Sequence, residues 1–225
     1  MNSRNKKQCL ITAFLLTFLA AAGLYAEDQM APLPIQLPKP GYAGTPMNID
    51  WTNVEPPSVK LRGPFLAPAN VTNVAKGKKV TSSEKEPIIG DLQMITDGDK
   101  KQADYNSVEL GPGVQYITID LGTLNEIYAI LCWHYYQPIV YYGVVVQTAD
   151  DEGFTKNVHT IFNNDRQNAT DLGAGKDLYY VENYQGKLLD AKGTIGRYVR
   201  LYSAGNSSID SNSYIEVEVW GRQAK

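Results

Sequence analysis

The chemistry open to this chain is narrow. Only two histidines occur in 225 residues, His134 and His159. A nucleophilic site needs a base, an orienting group and a nucleophile within hydrogen-bond reach. No Gly-x-Ser-x-Gly elbow is present, and no His-x-x-x-His or Cys-x-x-Cys metal spacing. Glycoside cleavage by paired carboxylates calls for a cleft geometry that sequence does not display. The expectation is therefore a protein that is not an enzyme. Two other kinds of chemistry are open. Asp97-Gly98-Asp99 combines two carboxylates with a glycine that permits a sharp turn, which suits a hard cation such as calcium. The same residues also suit a solvated turn in which Asp97 caps backbone amides. Two stretches rich in aromatic and planar polar side chains, Trp133-His134-Tyr135-Tyr136-Gln137-Pro138 and Phe162-Asn163-Asn164-Asp165-Arg166-Gln167-Asn168, are equipped for stacking and hydrogen bonding.

The elements that must position these loops read as strands. Tyr116–Leu121, Ile127–Trp133, Val144–Thr148, Val158–Phe162, Leu178–Glu182, Tyr198–Tyr202 and Tyr214–Trp220 are short runs rich in Val, Ile, Tyr and Thr. Gly, Asn, Asp and Ser clusters separate them. The last alternates: Ile215, Val217 and Val219 on one face, Glu216, Glu218 and Trp220 on the other. No stretch keeps a helical apolar period over ten residues. This pattern predicts an all-β sandwich or barrel, and about 150 residues are enough for one substantial core.

The chain before these strands has two further textures. Residues 1–26 read as a signal peptide: Arg4, Lys6 and Lys7, then an apolar run from Cys9 to Leu24, ending Leu24-Tyr25-Ala26. The run is short for a membrane span. The expectation is export to the cell surface, the extracellular space or a periplasm, with no transmembrane segment after cleavage. Cleavage removes three of the 21 Lys and Arg, leaving 18 against 24 Asp and Glu, a net charge of −6. That balance speaks against nucleic acid and against anionic lipid. It also leaves one cysteine, Cys132, in an apolar run, so no internal disulfide is expected. Residues 27–72 hold nine of the twelve prolines. Proline fixes φ and removes donors, so this segment reads as a semi-rigid spacer, or as an arm that lies along the domain, anchored by Trp51, Leu61 and Phe65.

Several stretches, in order, resemble the discoidin (coagulation factor 5/8 type C) family. They are Asn73-Val74-Ala75-Lys76-Gly77-Lys78 with Val80-Thr81-Ser82-Ser83, Ile95-Thr96-Asp97-Gly98-Asp99, and Ile117-Thr118-Ile119-Asp120-Leu121-Gly122. Then come Ile127 to Trp133 with Val144 to Asp151, Gly196-Arg197-Tyr198-Val199-Arg200-Leu201, and Glu216-Val217-Glu218-Val219-Trp220-Gly221. The resemblance implies a galactose-binding-domain-like jelly-roll β-sandwich over residues 73–222, preceded by the proline-rich arm. It implies a structural calcium bound by the Met94 and Asp99 carbonyls, the Asp97 carboxylate, the Ile215 carbonyl and the Glu216 carboxylate. Gln102 stands where the family often has Thr or Ser. It also implies a carbohydrate or glycoconjugate ligand held by loops at one end of the sandwich. The family does not map individual binding residues onto these loops; from the side chains the two stretches offer, the candidates are Tyr136 as platform and His134, Asn164 and Arg166 as hydrogen-bonders. Ordinary sandwich packing is the alternative for the tyrosines. Structural pairing with Asp120 or Glu218 is the alternative for Arg197 and Arg200. A protein partner, in an adhesion or scaffolding role through the same loops, is the second functional expectation.

Overall fold

The computed structural model describes residues 28–40, 49–56, 60–103, 106–135 and 139–225. The signal-peptide reading and Tyr136 lie outside the described residues. The fold is built from β-strands. Two lie in the arm, β1 (Met30–Pro32) and β2 (Leu66–Pro68). There follow β3 (Thr72–Asn73), β4 (Val80–Ser82), a 3-10 turn at Leu92–Thr96 and β5 (Val108–Leu110). Then come β6 (Gln115–His134), β7 (Val140–Tyr141), β8 (Val145–Ala149) and β9 (His159–Asn163). The last are β10 (Tyr180–Val181), β11 (Lys187–Ser203) and β12 (Asn212–Gln223).

Two long strands carry the architecture. The stretches expected as separate strands at Tyr116–Leu121 and Ile127–Trp133 are one strand, β6, passing through Gly122 at φ 87°. Its first half pairs with β4 and with Tyr198–Ser203 of β11. Its second half pairs with β12 and with Lys187–Gly196 of β11. Register shifts between Asp190 and Thr194, and between Gly196 and Tyr198, let β11 follow the same bend. One layer is thus β4, β6, β11, β8 and β9, and the other is β11, β6, β12 with β3 and β5. Ile117, Ile119, Val146 and Leu201 from the first layer meet Ile130, Cys132, Val217 and Val219 from the second in a single core. This is the β-sandwich anticipated from the strand pattern.

The closing strand departs from simple alternation. A bulge between Tyr214 and Glu216 puts Ile215 on the outer face, away from Val217 and Val219. That outer face is covered. Leu33, Ala67 and Val71 of the arm pack on Ala129, Leu131, Trp133, Ile215 and Trp220, a second apolar cluster. Burying side chains of this size contributes about 1.5–3 kcal/mol each. The arm therefore lies along the domain and supplies a third layer. Its prolines fit this role because β1 and β2 form only a two-stranded ribbon, where a missing donor can face outward. The arm reaches further: Tyr179 N–H donates to Asn53 O (2.8 Å) and Glu55 N–H to Tyr179 O (2.7 Å). Arg222, near the end of the chain, ties in Asp28 (2.6 Å) and Glu126 (2.7 Å).

Candidate functional site

Because β6 turns from one layer into the other, both its ends lie at the same end of the sandwich. Gln115 pairs with Ser203, His134 with Tyr214, and Val145 with both Tyr202 and Asn163. The loops around Tyr142, Arg166, Tyr179 and Ala204 converge there on a cleft of about 270 Å³. Gly143 forms part of its floor at φ +67°; a Cβ there would stand 2.6 Å from the Ala204 Cβ, so only glycine lets the two walls close up.

The cleft combines aromatic faces with one cation. The Tyr142 and Tyr179 rings meet edge to face, centroids 6.1 Å apart. Burial, and to a lesser extent the Asp210 charge, push the Tyr142 phenol up. Its O–H donates to the Asn206 carbonyl. Arg166 is fixed through Nη2, which donates to the carbonyls of Lys176 (3.1 Å) and Asp177 (3.4 Å), and its guanidinium lies 5.9 Å from the Tyr179 ring centroid. Its Nε is buried without a partner. Asp165 is occupied internally: it accepts from Ala169 N, Thr170 N and Thr170 Oγ1 at 2.8–3.1 Å, which shapes the loop.

Of the three described residues assigned from sequence to a ligand, Arg166 lines this cleft and His134 and Asn164 do not. His134 is fully buried. Its backbone N and its Nδ1 are each 3.2 Å from Glu182 Oε2, Tyr180 OH is 3.2 Å from Nδ1, and the ring stacks on Tyr141 at 4.4 Å. Asn164 is also inside, its Oδ1 accepting from Val144 N (2.7 Å) and its Nδ2 donating to Tyr141 O (3.2 Å). Both hold the fold together instead of facing solvent. Alternation carries the signal for His134: Cys132 faces the core, so the residue two on faces it too. The same rule finds Tyr179, which sequence reasoning passed over: Tyr180 points inward, so its neighbour points out.

Cys132, His134 and Glu182 are arranged like a nucleophile, a base and an orienter, with Sγ 3.5 Å from Nδ1. All three are sealed from solvent. Burial, reinforced by the Glu182 and Glu216 charges, pushes the Cys132 thiol well up, so the thiolate is disfavoured. The set is a polar knot inside the core.

Elsewhere, Asp120 receives Arg197 as a bidentate pair at 2.8 Å, which holds its carboxyl below the usual range. Arg200 donates to Thr118 Oγ1 and Glu152 O and stacks on Phe154 at 4.0 Å. Glu218 pairs with Lys100 at 2.6 Å.

The Asp97 loop and β12 meet in one hydrogen bond. Gly98 N–H donates to Glu216 Oε2 (3.1 Å), while Glu216 Oε1 is buried with no partner. Burial pushes this carboxyl up to about 9, the Gly98 bond opposing and the Glu218 and Asp97 charges adding to the rise. Asp97 Oδ1 accepts from Asp99 N (2.7 Å), and Asp97 N–H reaches Met94 O at 3.5 Å. Ile215 is buried and Gln102 half-buried. Among the described residues no group of three or more His, Cys, Asp or Glu side chains forms a metal cluster; any cation here relies on carbonyls as well as carboxylates. Nor is any helix among them long and apolar enough to cross a membrane.

No protein-family model matches the chain, and no curated protein matches it either. Solved structures resemble it distantly. The CBM32 of AlyQ, solved with 4,5-unsaturated mannuronic acid, is 20% identical over 63% of this chain and 92% of that one, TM-score 0.45. A fucose binding module from Streptococcus pneumoniae is 17% identical over 68% and 96%, TM-score 0.48. A family 89 glycoside hydrolase from Clostridium perfringens is 18% identical over 67% of this chain, TM-score 0.48. The chain spans about 15% of that hydrolase's length. At these identities, and with TM-scores below 0.5, the similarity assigns no ligand and no residue role.

Proposed function

We propose that this protein is an exported, non-catalytic carbohydrate-binding module, of the discoidin type that its sequence resembles, and that sugar binds in the cleft at the end of the sandwich. The observation that carries this reading is the meeting of Tyr142 and Tyr179 beside an arginine pinned by backbone carbonyls. Aromatic faces receive the C–H faces of a sugar ring, and fixed polar groups select its hydroxyls. Arg166 is held through Nη2 alone, which leaves Nη1 to donate to a ligand.

The calcium is part of the same proposal. The orphan Glu216 Oε1 and the Asp97 carboxylate would hold it, with the Met94, Asp99 and Ile215 carbonyls and Gln102 completing the oxygens. Bound there, it would supply positive charge that keeps Glu216 ionised and ties the loop to β12. Its role is that of a staple.

The test is a broad glycan array probed with the whole secreted protein, in calcium and in chelator. Binding to a defined sugar, lost in Tyr179→Ala and Arg166→Ala, is the expected result. A blank array from folded protein defeats the carbohydrate reading for the glycans printed and turns the search to a protein partner.

A further inference from the structure

A second cleft, of about 350 Å³, opens along the seam between the arm and the sandwich. One wall is Glu55, Lys60 and Arg62 of the arm, and the other is built from Glu182, Asn183 and Lys187 around β10 and β11. The two walls are joined in fixed register. Gln185 Oε1 accepts from Arg62 N (2.7 Å), and its Nε2 donates to Lys60 O (3.1 Å).

The carboxylates of this cleft are engaged away from Arg62. Glu182 is taken by His134 and by the Asn183 amide. Glu55 is taken by Lys187. The guanidinium of the half-buried Arg62 donates to the carbonyls of Gly186 and Gln185. Among the described residues no carboxylate stands within ion-pair distance of it. Burial lowers its pKa, with the more distant Glu182 charge pulling the other way. A guanidinium with no carboxylate in direct contact favours an incoming one, whose two oxygens match its planar fork. The Asn183 amide and the rim pair Glu55–Lys187 offer donors and acceptors for hydroxyls around it.

We propose that this seam is a second binding site, separate from the end cleft, and that it takes a carboxylate-bearing sugar, a uronic acid, with Arg62 receiving the carboxylate.

The test is calorimetric titration of the whole protein with galacturonate, galactose and acetate. Galacturonate is expected to saturate at least about tenfold more tightly than galactose or acetate, and to weaken as salt is raised. Arg62→Gln is expected to lose about tenfold or more in galacturonate affinity. Because Arg62→Gln also loosens the arm, Lys187→Met provides a second reading. It removes the ammonium that lies over the Tyr180 and Phe162 rings and pairs with Glu55, and is expected to cost about threefold. Arg166→Ala, in the other cleft, should leave galacturonate binding unchanged, which separates this site from the proposed sugar site. Equal affinity for galactose, acetate binding as tight as galacturonate, loss in Arg166→Ala with retention in Arg62→Gln, or no saturable binding would each overturn the proposal.

Discussion

The two clefts are built on the same device and differ in what surrounds it. In each, an arginine is anchored through its Nη atoms to two backbone carbonyls, Lys176 and Asp177 for Arg166, Gln185 and Gly186 for Arg62. At the end of the sandwich the neighbours are tyrosine rings, Tyr142 and Tyr179. At the seam they are charges, Glu55, Glu182 and Lys187. The first surrounding suits a neutral ring with apolar faces, the second a ligand that brings charge of its own. The walls differ in origin too. The end cleft is made by sandwich loops alone, whereas the seam cleft exists only while the arm is seated. A fixed arginine is therefore not a specificity in itself; the side chains beside it decide which ligand gains from it.

The strongest way to separate the clefts is to unseat the arm. Trp133 is fully buried on the outer face, packs in the cluster with Leu33 and Ala67, and donates from Nε1 to Tyr184 O at 3.0 Å. Trp133→Ala is expected to cost about 3–5 kcal/mol in urea denaturation. It should abolish galacturonate binding at the seam while sugar binding at the end survives wherever the variant is folded. A cost under about 1 kcal/mol would mean the arm does not rest on this tryptophan.

A second test acts on the same outer face but on neither cleft. In metal-free protein the Glu216 carboxyl titrates near 9, against about 4.3 unfolded. The unfolded chain ionises first, so this group's contribution is fully present below about 4.3 and is lost as pH rises towards 9. Glu216→Gln should remove that slope and stabilise metal-free protein at pH 8, on the order of 5 kcal/mol. With calcium in the loop the sign reverses: calcium should raise the Tm of the natural protein and leave Glu216→Gln unmoved. Melting curves at pH 5.5 and 8, with calcium and with chelator, decide between the two. A Tm indifferent to calcium would remove the staple from the proposal.

What could be read in advance follows the range of the interactions. The strands were legible because alternation and turn residues are local; their number left a sandwich or a barrel, and the resemblance chose the sandwich. The continuity of β6 through Gly122 was not, because a bend between layers looks like a loop in sequence. The arm did carry a signal: Leu33, Ile35 and Leu37 alternate with Pro34 and Gln36, and they are more buried than those two. Prolines masked that period, since they argue against a central strand but not against an apolar ribbon on a sheet. Asn164 was misplaced because its partners, Val144 and Tyr141, are set by tertiary pairing. Arg166 was singled out because it sits in a long polar loop, and that loop does border the cleft. The seam cleft was out of reach, since Arg62 and Lys187 are brought together only by the seated arm.

The smallest effects sharpen the contrast inside the end cleft. Tyr179 supplies a ring to this cleft, and its backbone is clasped by Asn53 and Glu55 of the arm. Tyr179→Ala leaves those backbone bonds in place, so it is expected to weaken sugar by about tenfold, roughly 1.4 kcal/mol, with galacturonate at the seam unchanged. Tyr142→Phe keeps the ring and removes only the O–H bond to Asn206. Its cost should be smaller, about 0.5–1 kcal/mol and mostly in stability, because the hydroxyl is spent on the protein and not offered to the ligand. Isothermal titration of both variants with the array's best sugar ranks them. If Tyr142→Phe weakens the sugar more than Tyr179→Ala does, the aromatic surface is not the platform, and the hydroxyl turns away from Asn206 to bind.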